Sequence, residues 1–96
     1  MRIAEAAWLI HENAREHGFW DEERNFGEAL ALIHSEVSEA LEAYREGDDI
    51  AMGEELADIV IRTLDLAEGL GYNIEAEIRQ KMEYNKTRPR MHGKRC

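Results

Sequence analysis

Glu36-Val37-Ser38-Glu39 and Glu55-Leu56-Ala57-Asp58 are two carboxylate pairs, each with i,i+3 spacing. On a helix that spacing puts the two side chains on neighbouring turns of one face, roughly 5–6 Å apart at Cβ. Two such helices packed face to face would bring four carboxylates together. Four negative charges converging in a partly buried cleft repel one another unless a cation sits among them. All-oxygen ligation suits Mg²⁺, or Mn²⁺ in its place, far better than zinc. These residues point to a hard-metal site for phosphate chemistry.

Hydrophobic periodicity supplies the elements that would carry them, and it predicts four helices. The first runs from about Ile3 to about His17, with Ile3, Ala7, Ile10 and Ala14 at helical spacing, and ends at Gly18. Phe19-Trp20-Asp21 then turns the chain. Asn25 is placed as an N-cap with Glu28 three residues on, as in a capping box. The second helix runs from there to about Glu46 and stops at Gly47, with Leu30, Ile33, Val37, Leu41 and Tyr44 as its expected core stripe. Asp48 or Asp49 caps a third helix reaching about Leu70, whose expected core face is Met52, Leu56, Ile59, Val60, Thr63, Ala67 and Leu70. Asn73 caps a fourth, carrying Ile74, Ile78 and Met82, which cannot continue past Arg88-Pro89. No segment alternates with period two over a useful length, so no sheet is expected. The fold expected is an all-α four-helix bundle over residues 1–96, with 89–96 a basic C-terminal tail. Its core is thin. Ala57, Ile61 and Leu64, outside the main stripe of the third helix, suggest a second buried face and hence a homodimer or homotetramer.

An ExxE pair alone is compatible with a solvated helix surface, so position on the wheel matters. Glu36 falls among Ala29, Ala40 and Ala43, with Leu32 between it and Glu39, and small residues let another backbone or a ligand approach closely. Arg45 is the sole base on this helix, which leaves a like-charged face in need of an external cation. On the third helix Glu55, Asp58, Arg62 and Asp65 form a strip bordered by Leu66 and Ile61. A di-iron carboxylate bundle would want Glu-x-x-His motifs, and neither pair has them. His11, His17, His34 and His92 show no ligand spacing with one another, and His34 projects at the edge of the apolar stripe as a core or interface histidine. There is no glycine-rich phosphate loop and no nucleophile with a partner base. Phosphates would therefore fall to side chains: Lys81, Asn85 and Arg88 stand at i, i+4 and i+7 of the fourth helix, on one face. A basic helix C-terminus complementing the dipole accounts for the cations but not for the asparagine. Trp8, Phe19, Trp20 and Tyr84 are candidates for stacking on a base, each with a core role as the alternative.

The 96 residues, 44% hydrophobic and 34% charged with a single proline, read as one soluble helical domain. No stretch approaches the ~18 apolar residues of a membrane span, and Met1-Arg2-Ile3-Ala4-Glu5 meets an acid at once, with no signal-peptide apolar region. One cysteine, Cys96, excludes an internal disulfide framework, so a reducing cytoplasm is the expected compartment. The net charge of −9 argues against non-specific binding to nucleic acid. Arg79, Lys81, Lys86, Arg88, Arg90, Lys94 and Arg95 nonetheless make the chain end basic against Glu83 alone. That asymmetry would hold metal on one side and anionic phosphates on the other.

Glu36-x-x-Glu39 and Glu55-x-x-Asp58, with fifteen residues between them, resemble the signature of the all-α nucleoside triphosphate pyrophosphohydrolases, the superfamily of MazG. Residues 33–43 and 54–62 are similar to the two acidic helices of short, single-domain MazG-like proteins, and Lys81-x-x-x-Asn85-x-x-Arg88-Pro89 to the segment that follows them. The resemblance covers roughly residues 19–93. It implies Mg²⁺-dependent cleavage between the α and β phosphates of a nucleoside triphosphate, releasing the monophosphate and pyrophosphate, in nucleotide-pool house-cleaning. Carried over, Glu36, Glu39, Glu55 and Asp58 would ligate the metals, with one glutamate free to orient or deprotonate the attacking water. Lys81, Asn85 and Arg88 would bind phosphates or sugar. Base-recognising residues vary within the superfamily, so Trp8 and Trp20 come from the bare sequence alone. The rivals are a phosphoribosyl-ATP pyrophosphohydrolase of the same superfamily, and a non-catalytic helical oligomerisation or regulatory module whose acids are simply solvated.

Overall fold

A computed structural model describes residues 1–95; Cys96 lies outside the described residues. Four α-helices follow one another, α1 (Ile3–Glu16), α2 (Phe26–Arg45), α3 (Asp49–Gly69) and α4 (Ile74–Lys86), and a short 3₁₀ turn spans Arg90–Gly93. Among the described residues there is no strand. Local chemistry sets the boundaries. The side chains of Asn25, Asp48 and Asn73 accept hydrogen bonds from the backbone N–H groups of Glu28, Ala51 and Ala76 at 3.0, 2.9 and 3.1 Å, which satisfies orphan donors at three helix starts. At the ends of α2 and α3, Gly47 (φ 72°) and Gly71 (φ 83°) take the left-handed conformation that L side chains resist. The next residue then turns its N–H back, Asp48 to Ala43 O at 2.9 Å and Tyr72 to Ala67 O at 3.0 Å, closing each helix with a Schellman turn.

The α2–α3 hairpin is the main packing unit, and α1 lies along α3 on the other side. α4 leans on α1 and the end of α3, where Glu75 Oε1 accepts from the Ala4 N–H at 3.3 Å.

The helices were legible in the sequence; the buried faces were not. α2 buries Ala29, Glu36, Ala40 and Ala43, while the expected core stripe faces outward, with Leu30 54%, Val37 49%, Leu41 49% and Tyr44 68% exposed. On α3 the reading holds only in part. Ala67 is buried as expected, but Leu56, Val60 and Leu70 are exposed. Of the surplus face, Leu64 is buried because α1 packs there, while Ala57 and Ile61 stay exposed. On α4 Met82 is exposed, and the helix has no buried residue. Alanines line the contact because they let two backbones approach closely; the larger apolar side chains are left outside.

The consequence is a chain more open than its length requires. Its radius of gyration is 15.6 Å, against about 12.5 Å for a compact chain of this size. Its accessible surface is 7715 Å², against about 5,700 Å² for a folded monomer of this mass. Among the described residues no large side chain is fully buried.

Candidate functional site

The alanine face of α2 brings α3 close enough for their carboxylates to meet. One oxygen each from Glu36, Glu39 and Glu55 lie within 4.8 Å of one another. Glu36 is buried among the alanines. Its Oε1 accepts a hydrogen bond from Arg62 Nε at 2.8 Å, two turns of α3 beyond Glu55. Glu55 Oε2 is buried with no hydrogen-bond partner among the described residues, and Glu39 stands at the open side of the group.

These surroundings split the acids. The Arg62 guanidinium holds Glu36 below the usual carboxylate range, against the opposing effect of burial. Glu55 is pushed up to about 7, first because it shares a hydrogen bond with Glu36, then by its own burial and by the charge of Glu39. Three like charges so close do not all ionise unaided, and the last proton is retained to near neutrality. A divalent cation would replace that proton and also give the orphaned Glu55 oxygen a partner. The donors are all hard oxygens, which fits Mg²⁺ or Mn²⁺.

Asp58, the fourth acid expected, is exposed one turn after Glu55 and lies outside the group of three. It lines, with Glu36 and Arg62, a cavity of about 470 Å³ between α1, the Phe19–Arg24 connection, α2 and α3. The remaining walls are mostly apolar, from Leu9, Ile10, Phe19 and Leu66, with Asn13, Arg24 and Asp65 as polar groups.

Lys81 and Asn85 stand on α4 as their spacing predicts, but the helix ends at Lys86, so Arg88, expected on the same helix face, lies past its cap in the turn before Pro89. The trio is not at this cavity. Lys81 Nζ lies 5.0 Å and the Arg88 guanidinium 5.5 Å from the centre of the Tyr84 ring, and Asn85 Oδ1 is buried without a partner. None of the three lines the cavity, since α4 rests on α1 and the end of α3 rather than beside the acids.

Neither tryptophan is placed to stack on a base there. Trp8 is 55% exposed and is not part of the cavity wall. Trp20 corrects the sequence reading more sharply, because its ring is already engaged. Its Nε1–H is shared between Asp65 Oδ1 at 2.9 Å and Oδ2 at 3.2 Å. The Arg24 guanidinium covers its face at 4.6 Å, and the His11 ring meets it edge-on at 4.9 Å. A Cβ added at Gly69 would fall 2.1 Å from its ring edge. Asp65 completes its shell with His11 Nδ1–H at 2.8 Å and Arg24 Nη1 at 3.2 Å.

Sequence reasoning missed this centre. Asp65 was read as part of the acidic strip, and periodicity carries no sign that a residue 54 positions earlier donates to it. Arg62 belongs to the same strip, and nothing in its spacing signals that it reaches across to Glu36 on α2. His34, expected in a core or interface, is exposed in the protomer.

The family model for MazG-like proteins matches residues 20–95, which takes in both acidic motifs and the Lys81–Pro89 segment. No curated protein and no solved structure shows a match.

Proposed function

The chain belongs to the MazG-like family, a family associated with nucleotide pyrophosphohydrolases, and from that premise we propose that it hydrolyses nucleoside or deoxynucleoside triphosphates to the monophosphate and pyrophosphate. The observation that carries the reading is the carboxylate group itself: three glutamates within 4.8 Å, one with a buried oxygen that nothing satisfies. A bare acidic surface has no reason to bury such an atom, since an unmet polar group away from water costs about 1–3 kcal/mol.

Glu36, Glu39 and Glu55 would hold Mg²⁺, with Asp58 adding a carboxylate from the next turn. Bound there, the metal would neutralise triphosphate charge and lower the cost of activating water. The chain's own groups do the rest. Water attacks phosphorus, the P–O bond between the α and β phosphates breaks, and a glutamate of the group takes the water's proton. Arg62 keeps Glu36 ionised and oriented toward the others, a positioning role. Pyrophosphate leaves against positive charge from Lys81 and Arg88, with Asn85 donating alongside them.

Those three residues do not reach the cavity of their own protomer, which favours a site completed by a second copy. The outward stripe of α2 and α3 offers the surface. The excess of about 2,000 Å² per protomer, or about 4,000 Å² over two partners, falls in the size range of obligate interfaces. We place the assembly, dimer or tetramer, on that stripe and the protein in the cytoplasm; no helix among the described residues is long and apolar enough to cross a membrane.

The test is pyrophosphate release from a panel of canonical and modified triphosphates, with Mg²⁺ and with EDTA. Metal-dependent release with the matching monophosphate as co-product is expected. Silence across the panel from folded protein would overturn the reading, and turnover of phosphoribosyl-ATP alone would transfer it to that branch of the superfamily.

A further inference from the structure

Apart from Glu36, Asp58 and Arg62, the cavity beside the carboxylates is walled by residues with no part in metal or phosphate binding. Asn13 and Ala14 belong to α1, which precedes the matched segment at residue 20. At about 470 Å³ the cavity is within the range of small-molecule sites. Because Glu36 and Asp58 line it too, a ligand whose phosphates meet the acids has its other end directed into these walls.

Hydrogen-bonding capacity in the cavity is one-sided. Away from the carboxylate group its polar side chains are Asn13, Arg24 and Asp65. Both Asp65 oxygens are taken up by His11, Trp20 and Arg24, so its accepting capacity is spent. Arg24 spends one Nη1 donor on Asp65, and its remaining N–H groups make no hydrogen bond among the described residues. A guanidinium can only donate. Asn13 offers an amide that can donate or accept and has no side-chain partner among the described residues. A planar ligand entering here meets apolar walls, an adaptable amide and a surplus of donors.

We propose that this cavity seats the nucleobase, with Asn13 anchoring the base edge and Arg24 facing the ring edge opposite the sugar. Arg24 there selects bases with a carbonyl oxygen, O6 of guanine or O4 of uracil, over adenine and cytosine, which carry an amino group at that position. The proposal rests on the pyrophosphohydrolase reading for where the phosphates sit. An exocyclic amino group turned toward Arg24 would set donor against donor, while a carbonyl pairs with it. The same fork-to-carbonyl match lets arginine read guanine elsewhere.

Neutral deoxynucleosides test the seat without involving the carboxylates. In NMR titrations of the full chain, deoxyguanosine and deoxyuridine are expected to bind about tenfold tighter than deoxyadenosine and deoxycytidine, since polar sites reject ligands that leave them unpaired. Ala14→Phe fills the cavity and should weaken all four by about tenfold or more. Arg24→Lys keeps a charge beside Asp65 but loses the planar fork, and should shrink the preference to about threefold or less. Equal affinity for the four in the wild-type chain, or wild-type binding by folded Ala14→Phe, would overturn the proposal; should Arg24→Lys fail to fold, these two results still decide. Pyrophosphate release from the four matching triphosphates runs in parallel. Release without nucleoside binding removes the seat and keeps the hydrolase; nucleoside binding blocked by Ala14→Phe without any release keeps the seat and removes the hydrolase.

Discussion

Glu55 and Asp65 stand on the same helix, fewer than three turns apart, and meet opposite surroundings. Asp65 is enclosed by donors, one each from His11, Trp20 and Arg24, so its charge is answered from within the chain. Glu55 faces two more carboxylates and keeps a buried oxygen that nothing answers. Identical chemistry thus serves structure in one place and, on the proposed reading, would take a cation in the other. The number of donors turned toward a buried carboxylate separates the two roles, and residue type does not.

The comparison breaks first at Asp65. Asp65→Ala leaves Arg24 without its partner and the Trp20 N–H without an acceptor, and should cost about 3 kcal/mol of stability, the scale for breaking a buried ion pair. Chemical denaturation would measure it, and a loss below about 1 kcal/mol would show that the centre is incidental. At the other pole, Glu36→Gln or Asp58→Asn should lower turnover by at least about 10²-fold, some 2.7 kcal/mol of activation free energy. Asp58→Asn should do so with little loss of stability, whereas Glu36→Gln also gives up the ion pair with Arg62. Near-normal rates in both would make the acids a solvated surface.

Gly69→Ala tests the packing around Asp65 without touching a charge. Its new methyl must displace the Trp20 ring, and the cost should be about 1–3 kcal/mol despite alanine's better helix propensity. A variant as stable as wild type would mean that the ring is free to move.

The smallest effect concerns protons. Glu55 holds its proton to about 7 in the folded chain, against an ordinary 4.5, so the folded state binds more protons than the unfolded one between those values. The stability this confers is present at low pH and lost as pH rises through about 7. Glu36, held low beside Arg62, works in the opposite sense: its contribution is present above 4.5 and lost as pH falls below it. The metal-free thermal midpoint should therefore decline from pH 5 to 7.5. Glu55→Gln should flatten that decline, and Mg²⁺ at pH 7.5 should raise the midpoint. Scanning fluorimetry in both buffers would settle the sign.

Much of this architecture could be read from local chemistry. The N-caps at Asn25, Asp48 and Asn73 and the glycines ending the first three helices act over a few residues, so the sequence announces them. The meeting of the two acidic motifs was readable too, because spacing puts each pair on one face. Which face of α2 lies inside was not: a period of 3.6 marks Leu30, Val37 and Leu41 as a stripe to be covered, but says nothing of whether α3 or another chain covers it. The Asp65 centre was beyond reach for a related reason. Its partners come from α1 and from the connection after it, and only the packing of α1 on α3 brings them there. Asp58 shows the limit within a motif, since i,i+3 spacing places it near the other acids without making its side chain join them.

The three capped helix starts have a kinetic consequence. Each cap closes with a bond spanning three residues, so helix starts form without the entropic cost of closing a long loop. Chains dominated by such short-range contacts fold on microsecond-to-millisecond timescales. With a site completed by a second copy, as proposed, the slow step in reaching activity would then be the encounter of protomers. After dilution from denaturant, helicity would return within the dead time of manual mixing, while activity would return at a rate that rises with protein concentration.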